Sequence, residues 1–263
     1  MDNWARPLVF VDLDDTLFQT HRRLTPSAEF VVASYDKNAT PLAYMSDKQQ
    51  MLTRWLWQST DVVPVTARSP EALARVALAF HHGAICAHGA IILDNHGNTD
   101  PNYHAIMRQA LSAYQPQFRA LTKTVQDIAV SLGSVRLWTV AEQGVELYLM
   151  VKQNDLSAPL FLPSIIQRLP RAMLAEFYCH SNGNNLAIVP KAVSKAFAVQ
   201  YYLEHYVAEQ RVTLGFGDSL SDMAFLSLCD FWGAPRHSQI SRFASQRLAT
   251  AYKKHGYFGD YDE

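Results

Sequence analysis

Three short apolar runs, each ending in a polar group, constrain this chain most. They are "LVFVDLD" (8–14), "DVVPVTA" (61–67) and "RVTLGFGDS" (211–219). Runs rich in β-branched and aromatic residues, without polar alternation, mark strands buried on both faces. Helical patterns lie between them. In "SPEALARVALAFHHG" (69–83), Ser69 as N-cap, Pro70 in the first turn and Gly83 past the end predict a helix. "SKAFAVQYYLEHYV" (194–207) reads as an amphipathic helix. Strands that alternate with helices predict an α/β fold, a doubly wound, Rossmann-like parallel sheet with helices on both faces. The hydrophobic share of 49% is enough for a sizeable core of this kind. In such sheets, sites collect outside the carboxyl ends of the strands, where Asp12, Thr66 and Asp218 are expected.

The pattern changes from about Pro101 to Asn184. A helical stretch (103–133) is followed by strand-like "VRLWTVA" and "GVELYLMVK", a helix "LPSIIQRLP" and a further strand "AMLAEFYCH". This reads as an α+β module inserted into the sheet domain. The chain is therefore divided into core (1–100), inserted cap (101–184) and core again (185–263). Just before the insert, "AICAHGAIILDNHGN" reads as two strands around Gly89, closed by a turn at Asn95–Asn98. The polar segment 35–50 is expected to be a loop over the sheet edge.

A net charge of −1 gives no electrostatic footprint for nucleic acid or an anionic membrane. No apolar run is long enough to span a bilayer, and "MDNWARPL" lacks a signal-peptide layout. Cys86, Cys179 and Cys229 are odd in number and far apart, which fits reduced thiols in a cytoplasm better than a disulfide framework or a zinc site.

Carboxylates at the end of a buried strand need an offsetting charge, and a hard divalent cation with oxygen ligands supplies one. Asp12 and Asp14 are two apart on an extended chain and are expected to face one side of the sheet. Asp218 and Asp222, four apart in "GDSLSD", face one way on a helical turn. The plainer alternatives are a strand-end turn for the first group and helix capping for the second.

Taken together, "DLDDTL", Thr66 in "VPVTAR", Lys195 in "PKAVSKAFAV" and "GDSLSD" resemble, in order and in context, the four motifs of the haloacid dehalogenase-like phosphatases. The resemblance covers roughly residues 7–100 and 184–250. The insert falls where sugar-phosphate and Cof-like phosphatases of that family carry a large α/β cap. "ICAHGAIILDNHG" resembles the hairpin before that cap, with His88 where Asn is usual, and Asp15 stands where Gly is common.

The resemblance implies a phosphatase for a small phosphorylated metabolite, a sugar phosphate by family analogy, working through an aspartyl phosphate. It makes Asp12 the nucleophile and Asp14 the general acid and base. Mg²⁺ would be held by Asp12, the backbone carbonyl of Asp14, and Asp218, with Asp222 directly or through water. Thr66 and Lys195 would contact the phosphoryl oxygens, and Thr16 would steady the loop after the nucleophile. Lys191 is the competing motif lysine, but Ser194 can cap a helix that puts Lys195 in its first turn. His180, Asn182 and Asn184 in "CHSNGNN" are candidate leaving-group contacts, with a hydrogen-bonded turn the equal alternative. Arg68 is expected to salt-bridge structurally. His81, His82, His88, His96 and His104 lack metal-ligand spacing and read as surface or core residues. Two other functions stay open: a phosphosugar mutase resembling phosphomannomutase, and a non-catalytic sugar-phosphate-binding protein. Scattered cap arginines (Arg119, Arg136, Arg168, Arg171) argue against the first, and intact acids against the second.

Overall fold

The computed structural model describes residues 5–20, 24, 30–155, 159–208 and 210–255. Its central sheet is parallel, in the order Phe231–Gly233, Thr213–Phe216, Leu8–Val11, Asp61–Pro64. A bridge from Val65 to Ile85 continues it toward Ala84–Cys86. All four residues of Leu8–Val11 are buried, which is why the run shows no polar alternation. Val9 and Val11 face one hydrophobic cluster with Leu56 of the Asp47–Ser59 helix. Leu8 and Phe10 face another, with Ala198 and Val199 of the Lys195–Tyr206 helix and with Phe225 and Leu226. Helices therefore cover both faces, as the alternation of elements predicted.

A second, antiparallel sheet is ordered Phe177–Asn182, Asn185–Pro190, Val145–Gln153, Val135–Glu142. Its last strand in the chain, Asn185–Pro190, runs beyond the boundary expected at residue 184. One face of this sheet packs on the Gln115–Val130 helix around Phe118, Leu121 and Val125. The other joins the core cluster through Val145, Leu147, Tyr148, Ala187 and Val189. The Tyr148 hydroxyl donates to the Ala67 carbonyl at 3.2 Å, tying this module to the loop after the Asp61–Pro64 strand.

Two local expectations need correction. The helix predicted over 69–83 is only Pro70–Leu73, although Ser69 does cap it. Beyond it the chain is taken by a neighbouring hairpin, Val31–Tyr35 with Pro41–Met45. Tyr35 N–H donates to Arg75 O and Ala77 N–H to Ala33 O, so tertiary hydrogen bonds replace helical ones. The segment 35–50 is not a loop over the edge. It holds the Pro41–Met45 strand and the start of the Asp47–Ser59 helix, whose N-terminus is closed by the Ser46–Gln49 capping box. Among the described residues no helix is long and apolar enough to cross a membrane.

The hairpin Ala84–Cys86/Ile91–Leu93 turns at Ala87–Gly89. Gly89 has φ +99, and a Cβ there would stand 2.3 Å from the Ser194 carbonyl oxygen. No side chain fits between this turn and the Lys195 helix. Gly89→Ala is expected to destabilise the fold by roughly 2–4 kcal/mol, lowering the thermal midpoint by roughly 5–10 °C. A calorimetric scan checks this, and an unchanged midpoint would contradict the close contact.

Candidate active site

Asp12 directly follows the Leu8–Val11 strand, and its N–H donates to Phe216 O at 2.9 Å, fixing it between adjacent strands. Lys195 opens the helix that Ser194 caps by accepting from Phe197 N–H. Its Nζ donates to Asp12 Oδ1 at 2.7 Å and to Asp222 Oδ1 at 2.6 Å. All three groups are buried. Asp222 also accepts, through Oδ2, from Ser219 N–H (2.9 Å), Ser219 Oγ (2.7 Å) and Asp218 N–H (3.2 Å). Gly217 is needed for that loop to close, because a Cβ there would lie 2.7 Å from Asp222 Cβ.

One carboxylate oxygen from each of Asp12, Asp218 and Asp222 lies within 4.8 Å of the others. Three carboxylates converge beside one lysine. Burial, with repulsion from Asp222 and Asp218, holds the Asp12 carboxyl well above its ordinary range despite Lys195. Burial also acts to raise Asp222, but Lys195 and Ser219 outweigh it and keep that carboxyl below the usual range. Burial opposes the Lys195 charge, and the two carboxylates more than compensate, so its ammonium is held. An all-oxygen donor set fits a hard divalent cation.

Asp14 turns elsewhere. Arg68 grips its carboxylate with two bonds, Nε at 2.7 Å and Nη2 at 2.8 Å. The strand ends at Val11, and past it Asp14 pairs with Arg68 while Asp12 pairs with Lys195. Asp15 sits in the turn that follows, at φ 65, a left-handed conformation that explains a preference for Gly there. Thr66 is buried at the same sheet end. Its N–H donates to Ile85 O at 2.8 Å, and its Oγ1 accepts from Arg68 N–H at 3.2 Å. The Thr16 hydroxyl is buried without a hydrogen-bond partner among the described residues, and its backbone N–H donates to Leu13 O within the loop.

The candidate leaving-group contacts separate. His180 lies at the junction of the two sheets, its ring 5.5 Å from that of His88. Asn184 ties a hairpin turn to the Val145–Gln153 strand: its Nδ2 donates to Gln153 O at 2.8 Å, and its carbonyl accepts from Gln153 N–H. Asn182 pairs with Asn185 through the backbone, and its side chain lies outside the described residues. Lys191 is exposed and donates to the Ala175 carbonyl. A cavity of about 240 Å³ opens beside Lys195, lined by His88, Tyr178, Lys191, Val193, Ser194 and Ser221. His88 and Tyr178 are the residues that sequence reasoning missed. The signals for His88 were its place in "CAHGA", directly after a buried strand, and its standing where the resembling family has Asn.

Burial, then His180 and Lys195, hold the His88 ring well below the ordinary histidine range. Burial and Lys195 also lower His180, against Asp222. Below about pH 6.5 the unfolded chain therefore takes up protons that these rings refuse, and stability falls with pH. Each ring contributes at most about 1.4 kcal/mol per pH unit, and nothing once both states are neutral. His88→Asn should flatten the fall in urea midpoint between pH ~7 and ~5. Equal slopes in the two proteins would contradict a buried neutral ring.

Residues 158–234 match the sequence model of a family described as haloacid dehalogenase-like hydrolase. No curated protein sequence matches this chain. Among solved structures, the chain is similar to the sucrose-phosphatase of Synechocystis in complex with sucrose and phosphate. That pair is 18% identical over 96% of this chain and 89% of the other, with a TM-score of 0.56. A trehalose-6-phosphate phosphatase related protein is 17% identical over 92% and 99%, with a TM-score of 0.52. The C-terminal domain of C. albicans trehalose-6-phosphate phosphatase is 13% identical over 97% and 79%, with a TM-score of 0.51. At these identities the likeness is one of fold, and it extends over sheet and insert together.

Proposed function

We propose that this chain, a haloacid dehalogenase-like hydrolase, is a phosphatase that removes phosphate from a small sugar phosphate in the cytoplasm, with Mg²⁺ as cofactor. The observation that carries the reading is the convergence of Asp12, Lys195, Asp222 and Asp218 at the carboxyl end of a parallel sheet. The named substrates of similar structures, and a cavity beside Lys195, support the sugar-phosphate part. Three free cysteines are consistent with a reducing compartment.

In this reading Asp12 attacks the phosphorus in line and forms an acyl phosphate, while the leaving oxygen takes a proton from Asp14. Water then attacks the acyl phosphate, with Asp14 accepting its proton. Arg68 fixes the orientation of the Asp14 carboxyl through its two-point grip. Lys195 and Thr66 meet the phosphoryl oxygens, where charge builds up. Asp12, Asp218 and the Asp14 carbonyl would hold the Mg²⁺, with Asp222 directly or through water, and the ion would supply further positive charge to those oxygens. The inserted module serves as the cap that selects the leaving group and excludes water.

A mutase needs a second phosphate site of clustered arginines, and two of those in the cap are engaged elsewhere. Arg136 stacks on Trp138, and Arg168 donates to Ser131 Oγ.

Asp12→Asn should lower turnover of phenyl phosphate more than about 1,000-fold with the fold intact by circular dichroism. Chelation should abolish turnover in the wild type and added Mg²⁺ restore it. Substantial activity in either case would overturn the reading. Lys195→Ala should lose on the order of 3 kcal/mol of transition-state stabilisation, roughly a hundredfold in rate. Lys191→Ala should lose little. A crippled Lys191→Ala variant would move the motif lysine to that position.

A further inference from the structure

The Ala87–Gly89 turn is wedged between two parts of the site. Ala87 N–H donates to Arg68 O at 2.7 Å and His88 N–H to Thr66 O at 3.1 Å. On the other side Gly89 presses against Ser194, beside Lys195. His88 therefore stands between the Thr66 end of the sheet and the Lys195 helix. Its backbone is left-handed, φ 60 and ψ 17, a conformation that a histidine keeps only where the surroundings hold it. The ring is 4% exposed and meets Tyr148 edge-on at 5.0 Å and His180 at 5.5 Å. Its Nε2 is sealed from solvent and has no hydrogen-bond partner among the described residues. Leaving a buried polar atom unmatched disfavours the folded state, and apolar packing alone would be served better by a hydrocarbon side chain. His88 lines the cavity beside Lys195, together with Tyr178, Ser194 and Ser221.

We infer that His88 is a specificity-determining residue whose Nε2 hydrogen-bonds a hydroxyl of the leaving group, so that the site favours phosphate esters of sugars or polyols over aryl esters. The inference rests on the phosphatase reading above and deepens it. A hydroxyl both donates and accepts, so it can match Nε2 in either tautomer. A ring kept neutral by burial adds no pull on the phosphate itself, so its contribution falls on the alcohol portion. A site built to bond a substrate hydroxyl discriminates against an ester that lacks one, because the buried nitrogen is then left unmatched.

The test compares kcat/KM for glucose 6-phosphate, sucrose 6-phosphate, trehalose 6-phosphate and glycerol 3-phosphate with that for phenyl phosphate. The wild type should prefer at least one hydroxylated ester. In His88→Leu the ratio of that ester to phenyl phosphate should fall roughly tenfold to a hundredfold. His88→Asn tolerates the left-handed backbone and keeps a shorter polar group, so its ratio should fall between the two. If the leucine variant does not fold, a drop of about threefold or more in the asparagine variant still supports the inference. An unchanged ratio in the folded variants overturns it, as does a wild type that prefers phenyl phosphate. Both results leave the phosphatase reading standing. If no ester releases phosphate, the phosphatase reading fails, and this inference with it.

Discussion

The ion pair that Lys195 makes with both Asp12 and Asp222 organises this molecule. Its partners come from far apart: 183 residues separate Lys195 from Asp12, and 27 separate it from Asp222. Burying three such charges is unfavourable unless each finds its counterpart. The sheet supplies the geometry. Parallel pairing of Leu8–Val11 with Thr213–Phe216 brings the Asp12 and Asp218 ends together, and the helix cap at Ser194 aims the lysine between the carboxylates. Three carboxylates gather on one ammonium, and burial first, then repulsion from Asp222 and Asp218, raises the proton affinity of Asp12 against the pull of Lys195. The same electrostatics that make the cluster unfavourable alone suit it to a cation, which is the basis of the proposed Mg²⁺ site.

Much of this was legible in the sequence because its signals are local. The apolar runs identified the buried strands, the polar residue after each run marked the site end, and Ser194 placed Lys195 in a first turn. What was not legible depends on pairing between distant segments. The helix after Ser69 stops at Leu73 because Arg75 and Ala77 bond to the Val31–Tyr35 strand. The Arg68–Asp14 grip and the burial of His88 likewise need the strand order before they can be read. The helix from Asp47 is a different kind of miss. Its Ser46–Gln49 capping box stood in the sequence, but the polar composition of the segment masked it.

The cap reaches the site through strand alternation. Along Phe177–Asn182, Phe177 and Cys179 pack into the cap's own core, while Tyr178 and His180 turn toward Lys195. Because side chains alternate with period two, slipping this strand by one residue would exchange those sets and bury Phe177 and Cys179 against the charged cluster. Register is therefore a functional quantity here. The Asn182–Asn185 turn and the two bonds between Asn184 and Gln153 hold it, locking the hairpin onto the end of the central cap strand. On this geometry the Asn184 amide and carbonyl are engaged with Gln153, and that contact helps fix which face of the strand His180 occupies. It is the hydrogen-bonded turn that the sequence offered as the equal alternative to a leaving-group contact in this segment.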